Sequence, residues 1–229
     1  MMGEQTRGWR WTMLAVVVLG VASLLSNITT IAQLSGEDQT LFAVRRTVSL
    51  LLNAGTAWAG VSVLAGWLVR GRLQAAIAGL LAGSGALVVH YGVGELTGLM
   101  PPESFSSNVF WFVAAAVTGA PLGLIGAAVP KSPNSSVGHT LRAPHAPRRS
   151  RWGLLASLVV PTGAVLEPWV AGWWFGTGMG GHAQRWSDLA AATLLTAAGL
   201  AGMWWVARRS DRRGGLEVLP DRGQAISSS

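Results

Sequence analysis

The chain has 229 residues, 50% of them hydrophobic and only 12% charged, with a formal net charge of +7. A soluble domain is about a quarter charged, and here the apolar residues are blocked into long runs, which argues for membrane spans over a greasy soluble fold. There is no cysteine, which excludes disulfides, thiolate catalysis and cysteine-based metal sites; the positive charge sits in short loops and tails, the pattern of membrane insertion and not of nucleic-acid binding.

Six runs are predicted to cross a bilayer, at roughly 11–33, 47–69, 73–94, 108–129, 152–175 and 188–207. Each is about 20 residues or slightly longer, enough at helical rise for a hydrocarbon core of ~30 Å. A barrel would need alternating strands of ~10 residues, and these runs are apolar all round. The expected fold is all-α: a polytopic transmembrane bundle of six helices over residues 1–213, with a disordered cytoplasmic tail at 214–229. Arg7 and Arg10 ahead of the first run resemble a secretory signal, but the run is long and no small-x-small cleavage site follows. It is read as an uncleaved span.

Orientation follows from the basic residues. With the N-terminus inside, fourteen of the seventeen fall in cytoplasmic segments and three, Arg45, Arg46 and Arg185, in outer loops. That asymmetry puts both termini in the cytoplasm and the chain in the plasma membrane. Arg45 and Arg46 are the awkward pair, for which the nearby acids Glu37 and Asp38 offer compensation. All but Lys131 of the basic residues are Arg, consistent with a GC-rich bacterial genome. Trp9, Trp11, Trp67, Trp152, Trp204 and Trp205 fall at the expected inner interface, and Trp111, Trp173, Trp174 and Trp186 at the outer one. Indole prefers that half-wet layer, so they read as anchors in preference to a ligand cage.

Between the fourth and fifth runs, residues 131–151 are rich in Pro, Ser and Arg and read as a flexible cytoplasmic linker. Its arginines either set topology alone or also contact anionic lipid headgroups. His139 and His145 lie there without a carboxylate partner, so no metal site is expected. Gly79 with Gly83 and Gly119 with Gly123 have the small-xxx-small spacing that lets helices approach closely, and Pro121 predicts a bend in the fourth span. Gly176 to Gly181 lacks the strand, lysine and helix of a phosphate cradle and reads as an outer turn.

Glu167 is the one charge in the interior of these runs, Asp188 standing at the first position of the sixth. A carboxylate at that depth is costly unless protonated, paired or facing water. It lies fifteen residues beyond Trp152, about 22 Å at helical rise, in the outer half. Pro168 follows it and Pro161-Thr162-Gly163 precedes it, so the fifth span is expected to kink or break around its charge. Broken helices beside a charge build transporter sites, but they also occur where neighbours simply satisfy freed backbone groups. Asn27, Asn53, His90 and Tyr91 come from three other spans at a similar depth. Together they predict an outer-facing polar cavity, with Asn53 and His90 donating to Glu167 and Tyr91 one turn before Glu95 on the same face. The bland alternative is that each polar group only bonds a neighbouring helix.

Taken together, Asn53-Ala54-Gly55-Thr56-Ala57-Trp58, the Ala/Gly-rich third span ending His90-Tyr91, Trp111, Gly119 to Gly123 and Glu167 give residues 47–175 their pattern. That pattern resembles an uncharacterised actinobacterial family of small six-span integral membrane proteins. The resemblance implies six spans and no reaction, since the family has no assigned activity. An aromatic pair stands there where this chain has His90-Tyr91, so a role for His90 is less transferable from the resemblance.

The binding candidates are therefore Asn53, His90, Tyr91 and Glu167. The leading expectation is a transporter-like or ligand-binding protein for a small solute or proton, with no cofactor and no metal. The alternative is an assembly subunit that holds partner membrane proteins through its Gly-rich faces; oligomeric state is not readable. HExxH, GxSxG and Walker sequences are missing, and no second acid or base is placed beside Glu167, so an enzyme is not expected.

Overall fold

A computed structural model describes residues 2–69, 71–129, 151–176 and 181–214. Most of the predicted linker, all but Gly214 of the predicted tail and the core of the Gly176–Gly181 turn lie outside these residues. Among the described residues every regular element is helical. The order is α1 (Met2–Asn27), α2 (Ile31–Leu34), α3 (Gln39–Leu52), α4 (Gly55–Val69), α5 (Arg72–Leu87), a π-helical turn (Val88–Gly92), α6 (Val93–Leu96), α7 (Ser104–Ser107), α8 (Val109–Ala128), α9 (Arg151–Val170) and α10 (His182–Gly214). Among the described residues five helical stretches are individually long and apolar enough to cross a membrane, and α3 with α4, bent by 44° at their junction, bring the number to six when the pair is taken as one broken span.

The distribution of side-chain size is that of a protein whose solvent is hydrocarbon. Ala75, Ala78, Ala82 and Ala86 are completely buried, while Val18, Val117, Leu155 and Leu200 are more than half exposed. In lipid, apolar surface gains nothing by being hidden, so small residues that let backbones approach take the interior. The predicted glycines do this within the chain. A Cβ on Gly79 would lie 2.3 Å from the Gly119 carbonyl oxygen, and one on Gly123 would lie 2.0 Å from that of Ala75. Gly66 and Gly126 bring α4 equally close to α8. Helices α4, α5 and α8 thus form a tight triplet, α9 pairs with α10, α3 packs on α10, and α1 crosses α3, α4 and α5. The glycine faces expected to hold partner proteins are filled by the chain's own helices.

Several predicted boundaries move, each for a physical reason. The first span ends at Asn27, not near 33, because Thr30 caps a new short helix in a capping box with Gln33. The second begins well before 47: Asp38 Oδ1 accepts from the Leu41 N–H at 2.9 Å and starts α3 there. Arg45 and Arg46 consequently stand on a helix and not in a loop. Their partners are not Glu37 and Asp38: Arg46 pairs with Asp188 of α10 at 2.9 Å, and Arg45 donates to the Ser26 carbonyl at the end of α1. Asp188 can reach because α10 starts at His182, a turn and a half before the expected 188.

The fifth span corrects the largest expectation. Helix α9 runs unbroken through both prolines. The Pro161 ring is received by α10, where a Cβ on Gly202 would lie 3.0 Å from the Pro161 Cγ. Pro168 withholds the donor that the Ala164 carbonyl would otherwise receive, and the helix ends two residues later. The helix then closes at Gly172 (φ 72°), with the Trp173 N–H on the Pro168 carbonyl and the Gly172 N–H on that of Trp169, a Schellman end. The break expected at Glu167 lies instead in the second span.

Candidate functional site

The second span breaks at Asn53-Ala54. Asn53 ends α3 by competing for its own helix: its Nδ2 and its backbone N–H both donate to the Ser49 carbonyl, at 2.8 and 2.9 Å. Gly55 follows, a weak helix former. The new helix α4 therefore opens with backbone N–H groups that have no carbonyl one turn behind them. Glu167 meets those groups. Its Oε1 accepts from the Gly55 N–H, and its Oε2 accepts from the Thr56 N–H at 2.8 Å and from the Thr56 hydroxyl. A carboxylate is an all-acceptor group placed at the positive end of a helix dipole. Gly163, one turn before Glu167, allows the approach, since a Cβ there would lie 3.3 Å from Thr56 Oγ1.

The other face of the break is also polar. Asn53 Nδ2 donates to Asn27 Oδ1 at 3.1 Å, and the Ser49 hydroxyl donates to the same oxygen. Asn53 Oδ1 accepts from the Ser23 hydroxyl at 2.8 Å, and Ser23 Oγ lies 3.0 Å from His90 Nδ1. The Ser23 hydroxyl has one proton, so while it is given to Asn53 the contact to His90 needs the imidazole proton on Nδ1. Ser23 and His90 are fully buried, whereas Asn53 and Asn27 are exposed. A continuous hydrogen-bonded chain runs from the break to the π-helical turn in the third span. That turn inserts one residue into the helix, a feature often found at functional sites. Gly20 of α1 admits it, having no Cβ to strike Val89.

The predicted residues thus separate into two groups joined by two residues of backbone. Glu167 grips the start of α4; Asn53 and His90 belong to the network around the end of α3. Neither Asn53 nor His90 donates to the carboxylate, because backbone amides fill that role and Ser23 takes the imidazole. Tyr91 stacks edge-on to His90 at 4.7 Å and against Phe112 at 5.8 Å. Glu95 turns away to the Phe105 N–H. Ser23, Ser49 and Thr56 were not foreseen. Ser23 and Ser49 each stand four residues before an asparagine that was, so helical spacing was a usable signal.

A groove of about 320 Å³ opens beside the site between α4, α9 and α10, lined by Thr56, Gly60, Val160, Ala164, Leu195 and Ala198 among others. Comparison with protein-family models, curated proteins and solved structures finds no match to this chain. What the fold supports directly is a multi-pass, all-helical membrane protein.

Proposed function

We propose that the chain is a transporter-like or ligand-binding protein of the plasma membrane, whose working element is the broken second span with Glu167 as the proton- or cation-linked group. One observation carries this reading: a carboxylate deep in the fifth span holds the N-terminus of a half-helix at a break, beside polar groups from two other spans. Interrupted helices whose ends meet a charge are a recurrent way to build a solute or ion site in a membrane. The polar chain from Asn27 to His90 gives the same break a second set of exchangeable donors and acceptors. Both termini inside places the break in the outer half. The Arg-rich 131–151 segment belongs to the proposal as a contact for anionic lipid, and the resemblance to actinobacterial six-span proteins is in keeping with it. An assembly role through Gly79 or Gly119 has less support, because those faces are already occupied.

The test uses the full chain in proteoliposomes loaded with a pH-sensitive dye, under an imposed potential and with a panel of small solutes. Wild-type protein should carry a proton or solute flux that Glu167→Gln abolishes at equal incorporation. Equal flux in both would remove Glu167 from the mechanism.

A further inference from the structure

The groove and the carboxylate share their helix faces. Ala164 stands one turn before Glu167 on α9, and Val160 two turns before it, so the three lie along one stripe. On α4, Thr56 and Gly60 are likewise one turn apart. Thr56 therefore both lines the groove and holds Oε2 of Glu167. Below Thr56 the lining is apolar and small, including Ala57, Gly60, Ala164, Ala198 and Gly199, with no basic side chain. Two of the carboxylate's roughly four acceptor positions are used on Oε2 and one on Oε1, which leaves Oε1 one position beside exposed Gly55.

Size decides what fits. One turn of α-helix, ~5.4 Å long and ~10 Å across, takes roughly 400 Å³ or more, so a helix from a second copy would lie over the groove without filling it, whereas a single hydrocarbon chain matches its width. A volume of 320 Å³ holds about ten groups of water or methylene size. We propose that this groove takes the hydrocarbon tail of a single-chain amphiphile whose cationic, hydrogen-bond-donating head lies at Glu167. The tail meets only apolar walls, and an ammonium head emerging past Thr56 finds a negative charge with an unfilled acceptor position. This inference rests on the reading of Glu167 as the working group and names the substrate class for it: a long-chain amine.

The experiment uses the full chain in phosphatidylcholine nanodiscs and dodecylamine carrying a tail diazirine, with unlabelled dodecylamine, dodecanol and butylamine as competitors. Crosslinks should map to α4, α9 and α10 around Ala57, Val160 and Ala198. Dodecylamine should compete best, dodecanol less well and butylamine least. Ala198 is exposed, so Ala198→Leu narrows the groove without disturbing the core and should cut capture about tenfold. Gly60→Ala, whose Cβ would sit 3.9 Å from Val160 Cγ1, serves as a milder second variant. Undiminished capture in both variants, or crosslinks spread over the outer faces of α1 and α8 as for annular lipid, would overturn the groove. If that happens while Glu167→Gln still abolishes flux, the site reading stands and the tail inference falls. If groove capture behaves as expected but Glu167→Gln leaves both flux and the preference for dodecylamine over dodecanol unchanged, the cationic head and the role of Glu167 fall together.

Discussion

Replacing Glu167 with Ala takes the acceptor from three donors at once: the Gly55 and Thr56 amides and the Thr56 hydroxyl. A hydrogen bond to a charged group contributes about 1.5–3 kcal/mol, and the charge at a helix N-terminus adds about 0.3–1 kcal/mol that partly overlaps. Gly55 is exposed, so water re-solvates its amide and that loss falls at the low end. The Thr56 N–H is less accessible and has no helical carbonyl to turn to. The expected destabilisation is about 3–5 kcal/mol for Glu167→Ala. Glu167→Gln keeps one carbonyl oxygen for one amide but points an NH₂ at the other donors, and should cost about 2 kcal/mol; Thr56→Val, losing only the hydroxyl, about 1–2 kcal/mol. Unfolding in mixed micelles titrated with a denaturing detergent gives the ranking Ala, Gln, Val. The reasoning fails if Glu167→Ala lies within about 1 kcal/mol of wild type, or if Gln costs as much as Ala.

Other expectations address the packing and the second network. Gly123→Ala should abolish folding or cost about 3 kcal/mol, because its Cβ meets the Ala75 carbonyl at 2.0 Å, backbone against backbone; Gly92→Ala, with open space around it and helical φ, should be neutral or slightly stabilising in the same titration. Ser23→Ala removes the partner of both His90 Nδ1 and Asn53 Oδ1 and should lower stability by about 1–3 kcal/mol, well beyond the ~0.6 kcal/mol average for hydrogen bonds between membrane helices. For Arg46 and Asp188, a double-mutant cycle should return a coupling of about 1 kcal/mol, with either single replacement worse than the double. Topology is testable directly, since no native cysteine interferes: a cysteine at Ser106 should label with an impermeant maleimide from outside the cell and one at Arg72 should not.

Hydropathy exposes the five or six membrane-competent stretches because length and apolarity act residue by residue. It places the ends less well where a cap outcompetes the apolar run, as at Thr30 and Asp38, or where a distant partner stabilises a charge within a helix, as Asp188 does for Arg46. Of the residues expected at one depth, Asn27, Asn53 and His90 share one hydrogen-bonded chain through Ser23, and Glu167 meets the backbone two residues after Asn53. What depth could not give was the partner of each. The prolines beside Glu167 made the fifth span look broken, yet what Pro161 costs depends on what receives its ring, and Gly202, which does so, stands forty-one residues away in sequence. Asn53 and Gly55 were the quieter signal: a backbone-competing side chain followed by glycine, inside an apolar run. The glycine pairs were recognisable as close contacts, but spacing alone does not distinguish a face that meets its own chain from one that meets another.

Both proposals stand on Glu167 capping the start of α4 at the break in the second span. Amide proton resonances of Gly55 and Thr56 in detergent micelles report on that contact without reference to any substrate. With wild-type protein both should lie downfield and exchange slowly. Glu167→Gln should move both upfield and speed their exchange, while the Asn53 side-chain amide stays in place. Gly55 and Thr56 signals that are unchanged by the substitution would contradict the account.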